Sequence, residues 1–148
     1  MPLSSVTEIL SSSGDYAKLL AELEKFRRNV TVMFTDIRGS TSYFERYGDA
    51  AGLLMVNECN RAILGSVSRH GGVVIKTIGD GVMATFPEPR RAGDAAVEIQ
   101  RERRECNLSK PESDRAYVRI GINFGPGIVM DQRGHRLLEP GESVPQDT

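Results

Sequence analysis

Two aspartates stand where apolar, β-branched runs give way to turns. Asp36 closes the run VTVMFTDI at 30–37, and Asp80 lies in the dipeptide Asp80-Gly81 between VVIKTIG at 73–79 and VMATF at 82–86. If the two runs are neighbouring strands of one sheet, the carboxylates converge on one edge. Paired carboxylates suit Mg²⁺ or Mn²⁺, hard ions that prefer oxygen ligands and often share them with substrate phosphates. Two such ions together activate an attacking oxygen and stabilise a leaving one. Each aspartate also has a plain structural reading, Asp36 as a helix N-cap and Asp80 as turn chemistry. Arg38-Gly39-Ser40-Thr41 follows Asp36 and opens a helix, and backbone N–H groups at a helix start favour phosphate. The segment is not a P-loop, because G-x-x-x-x-G-K-[ST] is absent. Nor is it a D-x-D nucleophile pair, because Arg38 takes the second position.

Composition narrows the chemistry further. The two cysteines, Cys59 and Cys106, form no C-x-x-C pair, and the two histidines are His70 and His135. A disulfide scaffold and a thiolate zinc site are disfavoured and a histidine-rich site is excluded, so any metal must be held by oxygen. Lys and Arg total 19 against 20 Asp and Glu, so no global charge pulls toward nucleic acid or anionic membrane. Aromatics are 6% of the chain and no basic face stands out, which disfavours a ferredoxin-like nucleic-acid binder. No apolar run has the length of a membrane span, and MPLSSVTEIL lacks the pattern of a signal peptide. The expectation is a cytoplasmic location. At 148 residues, 39% hydrophobic and 26% charged, the chain reads as one soluble globular domain with an ordinary core.

The elements that must position these residues are legible as patterns. Residues 15–28 place Tyr16, Leu19, Leu23 and Phe26 on one helical face. The run 30–37 reads as a buried strand. Residues 41–70 read as helix in two pieces broken near Gly48-Asp49, with Leu53, Leu54, Val56, Ile63, Leu64 and Val67 as apolar face and Gly71-Gly72 as stop. Residues 73–79 and 82–86 form a hairpin around Asp80-Gly81. A charged amphipathic helix over 90–107 uses Ala92, Ala95, Ala96, Ile99 and Arg103, and strands follow at 116–125 and, as a candidate fifth, 127–131. The order β-α-α-β-β-α-β is the split βαβ arrangement of an α+β, ferredoxin-like fold. We divide the chain into a helical segment or linker at 1–29, an α+β region at 30–131 and an irregular, non-periodic tail at 132–148.

Three motifs in fixed order are more specific than their parts: F-T-D-I-R-G-S-T at 34–41, K-T-I-G-D-G at 76–81 and V-R-I-G-I-N-F-G at 118–125. Together they resemble the catalytic domain of class III nucleotide cyclases, most closely the bacterial adenylyl type, from about residue 30 to 131. The resemblance implies that Asp36 and Asp80 bind two ions, Mg²⁺ or Mn²⁺, with the Ile37 carbonyl as a further ligand. It implies that backbone amides around Gly39, Ser40 and Thr41 cradle a triphosphate; the family often has Phe at the position of Ser40. Arg119 matches an arginine that contacts phosphate in some members, and its plain reading is a solvated strand residue. Lys76 matches the purine-selecting position and favours ATP, since adenine N1 accepts from an ammonium whereas guanine N1–H needs an acceptor. Its plain reading is an edge-strand lysine. The implied reaction converts ATP to 3′,5′-cyclic AMP and pyrophosphate, in a site between two catalytic domains. A homodimer, or pairing with another cyclase domain, is implied.

The resemblance stops after Asp131. The family continues with a motif close to D-V-x-G-x-x-V-N-x-A-x-R, whose Asn and Arg position the ribose and stabilise the transition state. This chain reads QRGHRLLEPGESVPQDT instead. The expectation is a C-terminally truncated domain, for instance a frameshifted one, that lacks a helix and closing strands. Such a chain would have impaired activity, or would be an inactive nucleotide-binding partner of a complete cyclase domain, and its sheet would expose apolar surface or an edge.

Overall fold

The computed structural model describes residues 16–129. The tail at 132–148 and the last two residues of the candidate fifth strand, 130 and 131, lie outside them. Thr31–Asn123 forms one compact unit, and the described flanks, 16–30 and 124–129, belong to a second. In the flanking unit, helix α1 spans Tyr16–Glu24 and ends before Phe26, whose N–H bonds the Leu23 carbonyl in a tightened last turn. Of the expected four-residue face, Leu19 is buried, Tyr16 is exposed and Phe26 lies past the helix end.

In the larger unit, strand β1 (Arg28–Arg38, entering from the flank) is followed by α2 (Ser40–Tyr47), α3 (Asp49–Arg69), β2 (Val73–Ile78), β3 (Gly81–Phe86), α4 (Pro89–Leu108), a 3₁₀ turn (Glu112–Asp114) and β4 (Tyr117–Gly127). The sheet order is β2-β3-β1-β4, the split βαβ arrangement. Gly127 ends β4, and Ile128 and Val129 are in no strand. The break between the helical pieces falls at Gly48, whose φ of 87° suits glycine.

Alternation along β1 divides the sheet into two faces. Thr31, Met33, Thr35 and Ile37 are buried, while Val32, Phe34, Asp36 and Arg38 point the other way. Helices α3 and α4 cover only the first face. Met33, Ile37, Ala84 and Phe86 meet Met55, Cys59, Ile63 and Val67 of α3 and Ala92, Ala95 and Ile99 of α4 there. Burying each large aliphatic contributes roughly 1.5–3 kcal/mol. The α4 face agrees with its sequence pattern, with Ala92, Ala95, Ile99 and Arg103 buried. The α3 face agrees in half: Ile63 and Val67 are buried and Val56 packs against the core. Leu53, Leu54 and Leu64 are exposed, Leu54 at 71%, and the buried stripe runs through Gly52, Met55, Cys59, Ile63, Ser66 and Val67. That stripe keeps helical spacing through small residues, which hydrophobicity alone undervalues. At Gly52 an added Cβ would sit 2.5 Å from the Phe44 ring, so a small residue is what lets α2 pack there.

The hairpin also differs from its expected form. Its turn is Gly79-Asp80, with Ile78 paired to Gly81. Gly79, at φ 57°, takes the positive φ, as the first central position of a type II′ turn requires. Gly81 is instead a strand residue whose lack of side chain serves close approach.

Among the described residues no helix is long and apolar enough to cross a membrane.

Candidate functional site

Asp36 reaches the uncovered face because it is one alternation step from the buried Thr35 and Ile37. The Ile37 side chain is in the core, so only its backbone is available to a ligand. Gly39 then turns the chain with φ 74° into α2, which begins at Ser40 and Thr41 without a side-chain cap. The first amides of a helix have no intrahelical acceptor, so this start presents donors beside Asp36.

Asp80 is held near β1 by two features that motif reading overlooks. The Thr35 hydroxyl accepts the Val82 N–H at 3.1 Å, tying the hairpin to the residue before Asp36. A Cβ at Gly81 would stand 2.6 Å from the Thr35 carbonyl oxygen, so any side chain there would push the hairpin away. The visible signal was a threonine at an inward position of an apolar strand. The Ser40 hydroxyl completes the link by donating to Asp80 Oδ2 at 2.5 Å. Ser40 thus engages Asp80 through its side chain as well as offering an amide.

Arg119 lies on β4, which α4 anchors. The Gln100 amide donates to the Val118 carbonyl at 2.7 Å, and Asn107 both donates to and accepts from the Ala116 backbone. From this fixed backbone the Arg119 guanidinium forks onto Asp36, Nε to Oδ1 at 2.7 Å and Nη2 to Oδ2 at 2.9 Å. These hydrogen bonds push the Arg119 pKa up; the Asp36 charge adds to them, slight burial opposes, and the Asp80 charge adds further. Both carboxylates therefore act on one guanidinium.

Lys76 reaches the same face through a β-bulge. Val74 pairs with Ala84 and Lys76 with Met83, leaving Ile75 as an extra residue. Unbroken alternation from Val74 would turn Lys76 toward the helices, opposite Val82. With the bulge, Val74 packs on the core while Lys76 joins a row with Met83 and Phe34 across three strands. Lys76 is exposed.

Arg119–Asp36 and Ser40–Asp80 thus form two hydrogen-bonded pairs, related through the Asp80 charge that acts on Arg119, with Lys76 along the same face. The described residues hold no cluster of three or more His, Cys, Asp and Glu. Two carboxylates, a hydroxyl and a backbone carbonyl nonetheless fit Mg²⁺ or Mn²⁺, which complete their shells with water and phosphate. The clefts around α3 and α4, lined by Arg69, His70 and Glu98 or by Glu58 and Arg103, contain none of these residues. The group lies on an open sheet face.

Comparison with known proteins bears on this arrangement. Residues 23–135 match the adenylate and guanylate cyclase catalytic domain. The chain is 33% identical over 143 residues to adenylate cyclase 2 of Rhizobium meliloti, covering 89% of this chain and 37% of that protein. It is 26% identical over 126 residues to the putative adenylate cyclase 3 of the same organism, covering 78% and 22%. The chain therefore spans well under half the length of either relative. Among solved structures, the adenylate/guanylate cyclase/hydrolase from Silicibacter pomeroyi superposes with a TM-score of 0.59 at 30% identity, over 68% of this chain and 58% of that one.

Proposed function

This chain belongs to the adenylate and guanylate cyclase catalytic-domain family, and on that premise we propose that its region 30–131 is the metal- and base-binding half of an adenylyl cyclase site. The reaction is ATP to 3′,5′-cyclic AMP and pyrophosphate. The observation that carries the reading is the convergence of Asp36 and Asp80 on one face that also bears Lys76 and Arg119.

In this reading Asp36, Asp80 and the Ile37 carbonyl hold two Mg²⁺ or Mn²⁺ ions. Those ions supply charge stabilisation for in-line displacement at phosphorus. The amides of Gly39, Ser40 and Thr41 receive the triphosphate at the α2 start, and Arg119 adds a cationic fork. Lys76 donates to adenine N1, which selects ATP over GTP. The ribose 3′-oxygen bonds the α-phosphorus as the bond to the β-phosphate oxygen breaks; the hydroxyl proton passes to water and pyrophosphate leaves. Holding these groups in line is where most of the acceleration arises.

The face is open, with Phe34 and Tyr117 about half exposed. The site is therefore completed by a second copy or by another cyclase domain laid against it. The setting is the cytoplasm, where ATP is available and Cys59 and Cys106 stay reduced. The test is cyclic AMP production with Mn²⁺ by the chain alone and mixed with an intact cyclase domain, against Asp36→Ala and Asp80→Ala. Turnover that requires both aspartates and prefers ATP supports the reading. Turnover indifferent to both, or none in the mixture beyond that of the intact domain alone, refutes it.

A further inference from the structure

The geometry points to Arg119 as a resident counter-cation of the metal site, one that an entering ion must expel. This inference rests on the metal-binding reading above and adds a step to it. Both Asp36 oxygens are occupied by the guanidinium fork, at 2.7 and 2.9 Å. Asp80 is engaged too, through Ser40 at 2.5 Å, and its charge also acts on Arg119. A hard ion needs carboxylate oxygens at about 2.0–2.1 Å, and an adjacent guanidinium would repel it. The ion and the fork therefore compete for Asp36.

The fold says which partner yields. Val118 is buried and its carbonyl is held by Gln100, so the backbone of β4 stays in place. The Arg119 side chain is two-thirds exposed and free to swing. Displaced from Asp36, it carries an unpaired charge on the face where the triphosphate would lie. Ion entry and phosphate capture are then coupled. Each favours the other, and linkage requires the effect to be reciprocal. Arg119 is in this sense a positioning residue before it is a phosphate ligand, and it keeps Asp36 from standing as an uncompensated charge when no ion is present.

The experiment measures Mn²⁺ binding to the full chain without nucleotide, by the electron paramagnetic resonance signal of free Mn²⁺. Arg119→Gln should bind Mn²⁺ roughly three- to tenfold more tightly than the parent, the range set by an exposed but bidentate pair. Arg38→Gln removes a neighbouring positive charge on the same face without breaking the fork, and should change affinity less than twofold. Unchanged or weaker binding by Arg119→Gln overturns the inference, as does equal tightening by Arg38→Gln. Asp36→Asn separates this from the underlying reading. If it leaves Mn²⁺ affinity intact, the metal assignment itself falls; if it abolishes binding while Arg119→Gln does not tighten it, only the counter-cation role falls.

Discussion

The two faces of the sheet are built from the same strands and do opposite work. On the covered face, β1 contributes Thr31, Met33, Thr35 and Ile37 to a core closed by α3 and α4. Its polar groups are mostly tied internally: Ser66 donates to the Ala95 carbonyl and Asn107 brackets Ala116. On the open face the next residues along the same strand are Val32, Phe34, Asp36 and Arg38. There the polar contacts join elements far apart in sequence, Asp36 to Arg119 and Ser40 to Asp80. The covered face is closed by its own helices, though the Thr31 hydroxyl and the Arg103 Nε and Nη2 are buried there without a hydrogen-bond partner. The open face holds charge and apolar surface that α3 and α4 leave uncovered.

If the division is real, substitutions on the two faces separate stability from activity. The largest effect belongs to Ile99→Ala in the covered core, expected to cost about 2–5 kcal/mol of unfolding free energy, read by urea titration. Asp36→Ala, one strand face away, should lower cyclase turnover by about a hundredfold or more. Its stability should stay within about 0.5 kcal/mol of the parent; an equal loss of both quantities would break the comparison.

Gly81→Ala tests where the faces meet. Its Cβ would crowd the Thr35 carbonyl, so a cost of about 1–3 kcal/mol is expected, with weakened Mn²⁺ binding as the hairpin shifts. Thr35→Val removes the acceptor of the buried Val82 N–H and should cost about 1–3 kcal/mol, measured in the same titration.

The smallest effect is one of pH, remote from the open face. Burial pushes the Glu58 carboxyl up, but the Lys110 hydrogen bond and charge, with Arg103, outweigh it and hold the group below its ordinary value. A depressed carboxyl stabilises the fold above its unfolded pKa, and that contribution is lost as pH falls through the folded one. Lowering pH through the ordinary glutamate range and below should therefore cost about 0.5 kcal/mol or less through this group, given its exposure. Glu58→Gln should remove that part of the slope and leave Mn²⁺ affinity unchanged.

Much of this architecture was legible along the chain. The break at Gly48 and the α4 face through Ala92, Ala95, Ile99 and Arg103 follow from glycine conformation and helical period. Leu53, Leu54 and Leu64 misled because the side of the helix that meets the sheet carries no leucine and includes Gly52, Cys59 and Ser66, which a hydrophobicity ranking passes over. The Asp80-Gly81 turn misled because two glycines flank one aspartate, and only backbone dihedrals show that Gly79 takes the positive φ. The Ile75 bulge left no trace in VVIKTI, since an extra residue in one strand is defined by its partner's register.

Local order alone determined the candidate chemistry: aspartates at strand ends, a glycine-opened helix, a lysine and an arginine in strands, and no sulfur or imidazole set to compete. These are properties of residue type and near-neighbour spacing, which the chain carries whether folded or not. Tertiary structure decided that Ser40 binds Asp80, that Arg119 sits on Asp36, that Thr35 and Gly81 clamp the hairpin, and that a bulge turns Lys76 to their face. Ser40–Asp80 spans 40 positions and Asp36–Arg119 spans 83, and such contacts exist only once pairing brings β2, β3, β1 and β4 side by side.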